Sequence, residues 1–441
     1  MEEVPPDAVE FAREWLGFEP TPYQIELLKD PSKRIAVIFP RQSGKTTTLS
    51  IRMIHFVLRN PHTLSLIVAP GLRQSMIVMD RVQELISRMS RQRRRGRIQK
   101  IQRTVITLRN GSKIIALPCS PNLLRGYTAH LLVTDEAAFF NDDKTVFYSV
   151  LLPMLQNTRG TLIASSTPWG KDSVFYQFTQ DPAFSKRWVK IDEVVKAGLT
   201  TQEFIDDMQR RTPIERFRRE YLAEFVEDEL AYFQQQLITQ CIDSDLAPIT
   251  DDWTKTVAAK QGRYFIGVDL GKKVDYSVIA IMRWDTKEKV AELVGLVRFP
   301  LETPYASVIG YLKVICDKLQ RVEKVLVDQT GVGEYIVEEM KNTHIRSTIE
   351  GIMLSVPSKQ EILGYMKLLM QTDALGLYYD ADLIAEINVE RFELTKTGQV
   401  QFSHPDGTHD DRLWALALAV YATRTPDTSW MGTVYGVPHN W

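Results

Sequence analysis

At 441 residues, with 44% hydrophobic and 25% charged residues, the chain is of a size and composition for two soluble globular domains, with room for a small third. Its formal net charge of −1 gives no whole-chain signature of nucleic-acid binding, although an average of this kind conceals local patches. Cys119, Cys241 and Cys316 are far apart and odd in number, which excludes a disulfide framework or a zinc knuckle and suggests a reducing compartment. The acidic start, Met1–Phe11, lacks the positive end and apolar run of a signal peptide, and no segment reads as a membrane span.

Val9–Leu16 reads as a short amphipathic helix, and a second helix runs from Tyr23-Gln24 through Leu28. Gln24 stands just ahead of a phosphate-loop pattern. Its amide offers a donor and an acceptor to an adenine edge, or simply starts the helix. Ile35–Phe39 is an apolar strand, Pro40–Gly44 a turn, and a helical pattern follows through Ile51, Ile54 and Leu58. Strand, tight loop and helix are the context that a phosphate-binding loop requires. The loop residues Arg41, Gln42, Ser43 and Gly44 lead into Lys45, whose ammonium suits terminal phosphates, and Thr46, whose hydroxyl suits Mg²⁺. The usual first glycine of the pattern is Phe39, so the strict motif is broken.

Leu64–Ala69 is a second buried strand and Leu72–Met89 a long helix. Arg88–Arg103 holds eight basic residues and no acid, a solvated face or a phosphate-backbone contact. Val105–Leu108 and Lys113–Leu117, joined at Asn110-Gly111, predict a hairpin. His130–Thr134 predicts a strand that ends in Asp135-Glu136. Beside a phosphate loop, Asp135 can hold Mg²⁺ through water and Glu136 can polarise the attacking water. Thr161–Ala164 predicts another strand, running into Ser165-Ser166-Thr167-Pro168. Those hydroxyls sense the γ-phosphate or merely make a turn. Trp188–Asp192 reads as the last strand of a doubly wound, mostly parallel sheet, with ligand at the carboxyl ends of the strands.

Thr201–Met208 and Pro213–Phe225 read as charged helices, and Asp243–Thr256 as a linker. A new domain opens with a meander, Tyr264–Asp269, Tyr276–Arg283 and Val290–Phe299, then a helix, Tyr305–Leu319, and a strand, Lys324–Val327, ending in Asp328. His409-Asp410-Asp411 starts an apolar helix near the end. Asp269, Asp328 and the pair Asp410/Asp411 thus stand at element ends. Carboxylates gathered in this way repel unless divalent cations neutralise them, and oxygen-rich sites suit Mg²⁺ or Mn²⁺. Two such ions can hydrolyse a phosphodiester; strand-end and helix-cap acids are the plainer reading. Asp275 reads as a turn residue or an outer acid. Lys359 faces DNA or water, and His404 and His409 assist the site or sit in loops.

Taken together, Tyr23-Gln24, Arg41–Thr46, Leu131–Ala137, Ser166-Thr167-Pro168, Asp269-Leu270-Gly271, Asp328–Gly333 and His409–Ala419 resemble the large terminase subunit of tailed double-stranded DNA phages. The resemblance spans nearly the whole chain. It accommodates Phe39, because this family's loop commonly departs from the strict pattern and carries an arginine near Arg41.

The resemblance implies an N-terminal P-loop ATPase core (1–195), a helical linker subdomain (196–258), a C-terminal ribonuclease-H-like, mixed-sheet nuclease (259–424) and a tail (425–441) that docks on the portal or is disordered. It implies ATP-driven translocation of double-stranded DNA into a procapsid, with cutting of the concatemer by two-metal-ion chemistry. ATP and Mg²⁺ are the implied cofactors, with Mn²⁺ a substitute in the nuclease. Asp269, Asp328 and Asp411 are the implied principal ligands, with Asp410 competing for the third place. Arg125 is the implied arginine finger reaching a neighbour's ATP; the plainer role is a loop arginine paired with a local acid. The implied partners are DNA, the portal protein, a small terminase subunit and further copies in a ring, in the host cytoplasm and not in the mature virion. Rival readings are a helicase or translocase without nuclease activity and a non-catalytic nucleotide-binding scaffold.

Overall fold

The structure is a computed structural model. It describes residues 2–424 except 213, 227–230, 250–261, 272–274, 320, 331–333, 344, 395–399 and 404–408. His404, Gly331–Gly333, the end of the linker and the tail 425–441 therefore lie outside the described residues. The chain packs into two compact units, Met1–Glu229 with Ile242–Ala247, and Leu230–Cys241 with Pro248–Trp441.

The first unit is built on eight strands: β1 Arg34–Ile38, β2 Leu64–Ala69, β3 Ile98–Ile101, β4 Val105–Leu108, β5 Lys113–Pro118, β6 Leu131–Thr134, β7 Thr161–Ser165 and β8 Ser185–Trp188. Their order is β3-β4-β5-β2-β6-β7-β1-β8. From β5 to β8 every neighbouring pair is parallel, whereas β3 and β4 add an antiparallel edge. The central parallel strands β1, β2, β6 and β7 are apolar and buried on both faces, because helices cover both sides. Helices Lys45–Arg59 and Leu72–Arg88 each bury an apolar stripe in one continuous core with Ala8–Leu16.

This is the mostly parallel, doubly wound sheet expected, with two local corrections. The last strand is Ser185–Trp188, and Ile191–Lys196 is a helix instead of the tail of that strand. Asp192 and Glu193 fill its first turn, and Glu193 accepts from the Lys190 amide at 2.8 Å, which ends the strand. The helix read over Pro213–Phe225 is Ile214–Glu220, and the chain turns at Ala223, whose φ is +56°. The basic stretch Arg88–Arg103 supplies a helix, Arg91–Arg97, and the edge strand β3.

The second unit holds β9 Arg263–Asp269, β10 Val278–Asp285, β11 Val290–Arg298, β12 Val322–Asp328, β13 Thr348–Ile352 and β14 Leu375–Gly376, in the order β13-β12-β9-β10-β11-β14. β9, β10 and β11 form an antiparallel meander, while β12 and β13 run parallel to β9 on its other side. That mixed order is the ribonuclease-H-like sheet expected. A separate hairpin, β15 Arg391–Leu394 with β16 Val400–Ser403, follows helix Ala381–Val389. The closing helix, Asp411–Ala422, is apolar almost all round and lies against β9. Gly267 permits that approach: a Cβ there would stand 2.1 Å from Ala415 O and 2.4 Å from Ala419 N. Among the described residues, no helix is long and apolar enough to cross a membrane.

Candidate functional sites

Two groups of side chains gather at strand ends, one in each unit. In the first unit, β7 lies between β1 and β6, with Val37 paired to Ser165 and Thr134 to Ala164. The register brings the ends of three strands to one edge. There Phe39–Gly44 leads into the helix, β6 runs into Asp135-Glu136, and β7 runs into Ser166-Thr167.

The loop is braced by its own residues. Gly44 has φ +79° and Gln42 has φ +61°. Ser43 Oγ donates to Pro40 O at 2.6 Å, and Thr48 Oγ1 donates to Gly44 O at 2.9 Å. A Cβ on Gly44 would stand 2.3 Å from Gln24 Nε2, so a side chain there would displace that amide as well as strain the left-handed backbone. Gln24 is buried; its Oε1 accepts from Thr21 N at 2.9 Å and its Nε2 donates to Ser43 O at 3.3 Å. Both ends of the amide are thus used inside the protein, at the helix start and against the loop. Tyr23 joins them, its hydroxyl donating to Ser43 O at 3.0 Å. Arg41 leans away toward Glu220, through its backbone amide at 2.8 Å and its Nε at 3.2 Å.

Lys45 Nζ lies 3.0 Å from Asp135 Oδ1 and 3.3 Å from Glu136 Oε1. Burial works against its charge, but the two carboxylates outweigh burial and raise its pKa above the ordinary lysine value. Asp135 also accepts from Ser165 Oγ at 2.9 Å. Glu136 adopts a left-handed backbone, φ +49°, and turns its Oε2 toward the β7 end. That oxygen accepts from Ser166 Oγ at 3.2 Å, Thr167 N at 3.0 Å and Thr167 Oγ1 at 2.9 Å. Thr46 follows Lys45 in the first turn of the same helix. Arg125 ends the short helix Pro121–Leu124, just before Gly126 with φ +96°; it is exposed and makes no side-chain bond among the described residues.

In the second unit, Asp269 ends β9 and Asp328 ends the neighbouring β12, while Asp410 and Asp411 stand at the start of the closing helix. Burial first, then Asp411, Asp328, Asp410 and Asp275, push the Asp269 carboxyl far above its usual range. Asp411 is 4% exposed, and burial pushes it up to about 7, helped by Asp275 and Asp410. The two neighbours in sequence are placed differently. Asp410 Oδ2 accepts from Trp414 Nε1 at 2.7 Å, one turn along the helix. Asp411 Oδ2 is buried with no hydrogen-bond partner. His409 Nδ1 lies 3.6 Å from Asp411 Oδ2 and 4.0 Å from Asp275 Oδ1, and one ligand atom from each of the three falls within 4.8 Å of the others. His409 also packs edge-on against Tyr276 at 5.1 Å.

Clustered carboxylates, an orphaned buried oxygen and a histidine nitrogen suit a hard divalent cation. The sequence marked the strand-end aspartates. It offered Asp275 as an outer acid and His409 as an assisting residue, each beside a plainer reading, but not their meeting at Asp411, because 134 positions separate the two. The Asp275 backbone lies close against Gly271, where a Cβ would stand 2.2 Å from Asp275 O.

The family model described as "Terminase large subunit, T4likevirus-type, N-terminal" matches residues 37–240. The chain is similar to the large terminase subunits of Thermus virus P23-45 and Thermus phage G20c. Each is 27% identical over 451 aligned positions, covering 92% of this chain and 88% of the relative. Among solved structures, it is similar to the ATPase domain of the Thermus phage P74-26 large terminase, at 24% identity and TM-score 0.44, over 49% of this chain and 98% of that one. It is also similar to the large terminase nuclease of phage G20c with bound magnesium, at 27% identity and TM-score 0.33, over 36% of this chain and 82% of that one.

Proposed function

We propose that this chain, which matches the large terminase subunit family, is a viral genome-packaging motor that also cuts its DNA. ATP hydrolysis in the first unit drives double-stranded DNA into the procapsid, and the second unit cleaves the concatemer. The observation that carries this reading is the presence of both strand-end constellations in one chain: Lys45 with Asp135 and Glu136, and Asp269 with Asp328 and Asp411.

In the first unit, loop residues Gln42–Gly44 and the helix start cradle phosphate through backbone amides, with Arg41, whose own amide bonds Glu220 O, flanking them. Lys45 supplies the point charge, and Thr46 and Asp135 hold Mg²⁺. Lys45 then exchanges its two carboxylates for phosphate oxygens. Glu136 orients and deprotonates the attacking water, held in position by Ser166 and Thr167. Gln24 supports the loop from below; an adenine contact requires its bond to Ser43 O to open. Arg125, exposed and without an intramolecular partner among the described residues, reaches a neighbouring subunit's ATP in a ring.

In the second unit, Asp269, Asp328 and Asp411 hold divalent cations, with His409, Asp275 and Asp410 alongside. Two such ions, when bound, supply the charge that activates water and steadies a leaving oxygen. Asp411 is the better third ligand because its Oδ2 is buried and uncommitted, whereas Asp410 is engaged by Trp414. The division into a motor core (1–195), a linking segment (196–258), a nuclease (259–424) and a tail (425–441) belongs to the same reading. The partners are DNA, the portal, a small terminase subunit and further copies of the chain, in the host cytoplasm during assembly.

Purified full-length chain tests this through Mg²⁺-dependent phosphate release from ATP and nicking of supercoiled plasmid over a Mn²⁺ titration. Both activities are expected. ATP hydrolysis without nicking at any metal concentration would leave a translocase, and neither activity would leave a nucleotide-binding scaffold.

A further inference from the structure

One cation stands among the acids of the second unit without pairing to any of them. Lys359 lies in the first turn of helix Val356–Gln371, which follows β13 closely. β13 runs beside β12 with Ile352 paired to Asp328, so the helix starts at the sheet edge that carries the acids. Lys359 Nζ lies 4.7 Å from the centroid of the Trp414 ring, and Trp414 Nε1 donates to Asp410 Oδ2 at 2.7 Å. Lys359 is half-buried, and its ammonium makes no hydrogen bond or ion pair among the described residues.

The charge is nonetheless felt. Burial raises the Asp328 carboxyl and the Lys359 charge opposes it; burial and Asp410 push Glu390 up to about 8, again against Lys359. Glu390 is 1% exposed, and its Oε2 has no hydrogen-bond partner. An ammonium beside carboxylates ordinarily collapses onto one of them. This one rests on an indole face, with its three donors uncommitted among the described residues. Met353, just past β13, and Tyr335, in the first turn of helix Glu334–Asn342, are exposed apolar side chains of the same unit.

We infer that Lys359 is a catalytic residue of DNA cleavage, its ammonium binding a non-bridging oxygen of the scissile phosphodiester. The inference rests on the nuclease reading and deepens it. In hydrolysis a water oxygen bonds to phosphorus and the bond from phosphorus to one sugar oxygen breaks. The water loses a proton and the leaving oxygen gains one. Negative charge builds on the non-bridging oxygens in between, and a fixed cation there stabilises the transition state more than the ground state. Lys359 keeps its proton throughout. The competing role is neutralisation of the acids alone. In that case removing the charge tightens divalent-ion binding and leaves the rate at saturating metal intact.

The test uses the full-length chain. Lys359→Ala is expected to lower plasmid nicking at saturating Mn²⁺ by about 100-fold, with an unchanged or lower Mn²⁺ midpoint and unchanged ATP hydrolysis. On an Asp269→Asn background in Ca²⁺, it should reduce the slope of log Kd for duplex DNA against log salt by about one. Lys359→Cys alkylated with 2-bromoethylamine restores an ammonium and should recover most of the rate, since Cys119, Cys241 and Cys316 are buried. Wild-type nicking by Lys359→Ala at saturating Mn²⁺, or an unchanged salt slope, would overturn the inference. Asp269→Asn serves as the control. If it is inactive while Lys359→Ala cuts normally, only the Lys359 role falls; if Asp269→Asn also cuts, the nuclease reading falls with it.

Discussion

Thr167→Val isolates the tether on Glu136, the glutamate proposed to activate water. Glu136 Oε2 accepts from Ser166 Oγ, Thr167 N and Thr167 Oγ1, the last being the shortest at 2.9 Å. Valine keeps the shape of threonine and the backbone donor but removes the hydroxyl. A hydrogen bond to a charged group contributes about 1.5–3 kcal/mol. Two of the three donors remain, so the lower end applies, about 1.5–2 kcal/mol, or a roughly 10- to 30-fold slower turnover. Nucleotide affinity rests on the loop and Lys45 and should change little. Thr167→Ser retains the hydroxyl and should stay within about threefold of wild type, about 0.6 kcal/mol. Phosphate release at saturating ATP and Mg²⁺ with DNA present gives the turnover, a fluorescent nucleotide gives the affinity, and circular dichroism checks folding. Wild-type turnover by Thr167→Val would refute the tether, as would equal impairment of Thr167→Ser and Thr167→Val.

Three further outcomes follow from other parts of the molecule. Arg125→Ala and Glu136→Gln, each inactive alone in assembled rings, should recover part of the ATP hydrolysis when mixed, because each supplies what the other lacks; no recovery in rings shown to be mixed would remove the trans role. Gly267→Ala places a Cβ 2.1 Å from Ala415 O, so the helix headed by Asp411 must shift, at a cost of about 1–3 kcal/mol; plasmid nicking should fall at least tenfold while ATP hydrolysis survives, and a fully active variant would contradict the packing argument. Asp30, 4% exposed, accepts from Ser185 Oγ at 2.5 Å and Arg187 Nε at 2.7 Å, and although burial opposes ionisation these bonds hold its pKa down to about 2. A depressed carboxyl stabilises the fold above its unfolded value and loses that contribution as pH falls, so Asp30→Asn should cost about 2 kcal/mol at pH 7 and progressively less between about pH 4 and 2; a gap in urea stability that widens on acidification would reverse the sign.

The central strands β1, β2, β6, β7 and β12 were legible because each is a short, largely apolar run ended by a turn, and the acids were legible because they end such runs; β8, Ser185–Trp188, and β13 carry no such run, and neither was read in place. Asp135, Asp269 and Asp328 all belong to this class. What escaped the sequence depends on pairing across long separations. The edge strand Ile98–Ile101 sits in a basic run with no periodicity of its own and exists because β4 pairs with it. The strand read at Trp188–Asp192 was placed too late because Val189 and Ile191 continue the apolar run, while the cap at Glu193 starts a helix. Gln24 had two readings with equal chemistry, and only the approach of Ser43 O revealed what its amide bonds. The tether from Thr167 to Glu136 and the meeting of Asp275 with His409 arise from strand order, which no local pattern encodes.

In the proposed function two separate chemistries reside in the two units of one chain. The most direct measurement is ATP hydrolysis and plasmid nicking on the same folded preparations of Asp269→Asn and Glu136→Gln. Asparagine keeps the shape of Asp269 and removes the charge that offsets a divalent ion, and glutamine at Glu136 cannot accept the water proton. Asp269→Asn is expected to lose nicking with ATP hydrolysis intact, and Glu136→Gln to bind ATP without turning it over while still nicking plasmid. Full nicking by Asp269→Asn, or normal ATP turnover by Glu136→Gln, would contradict it.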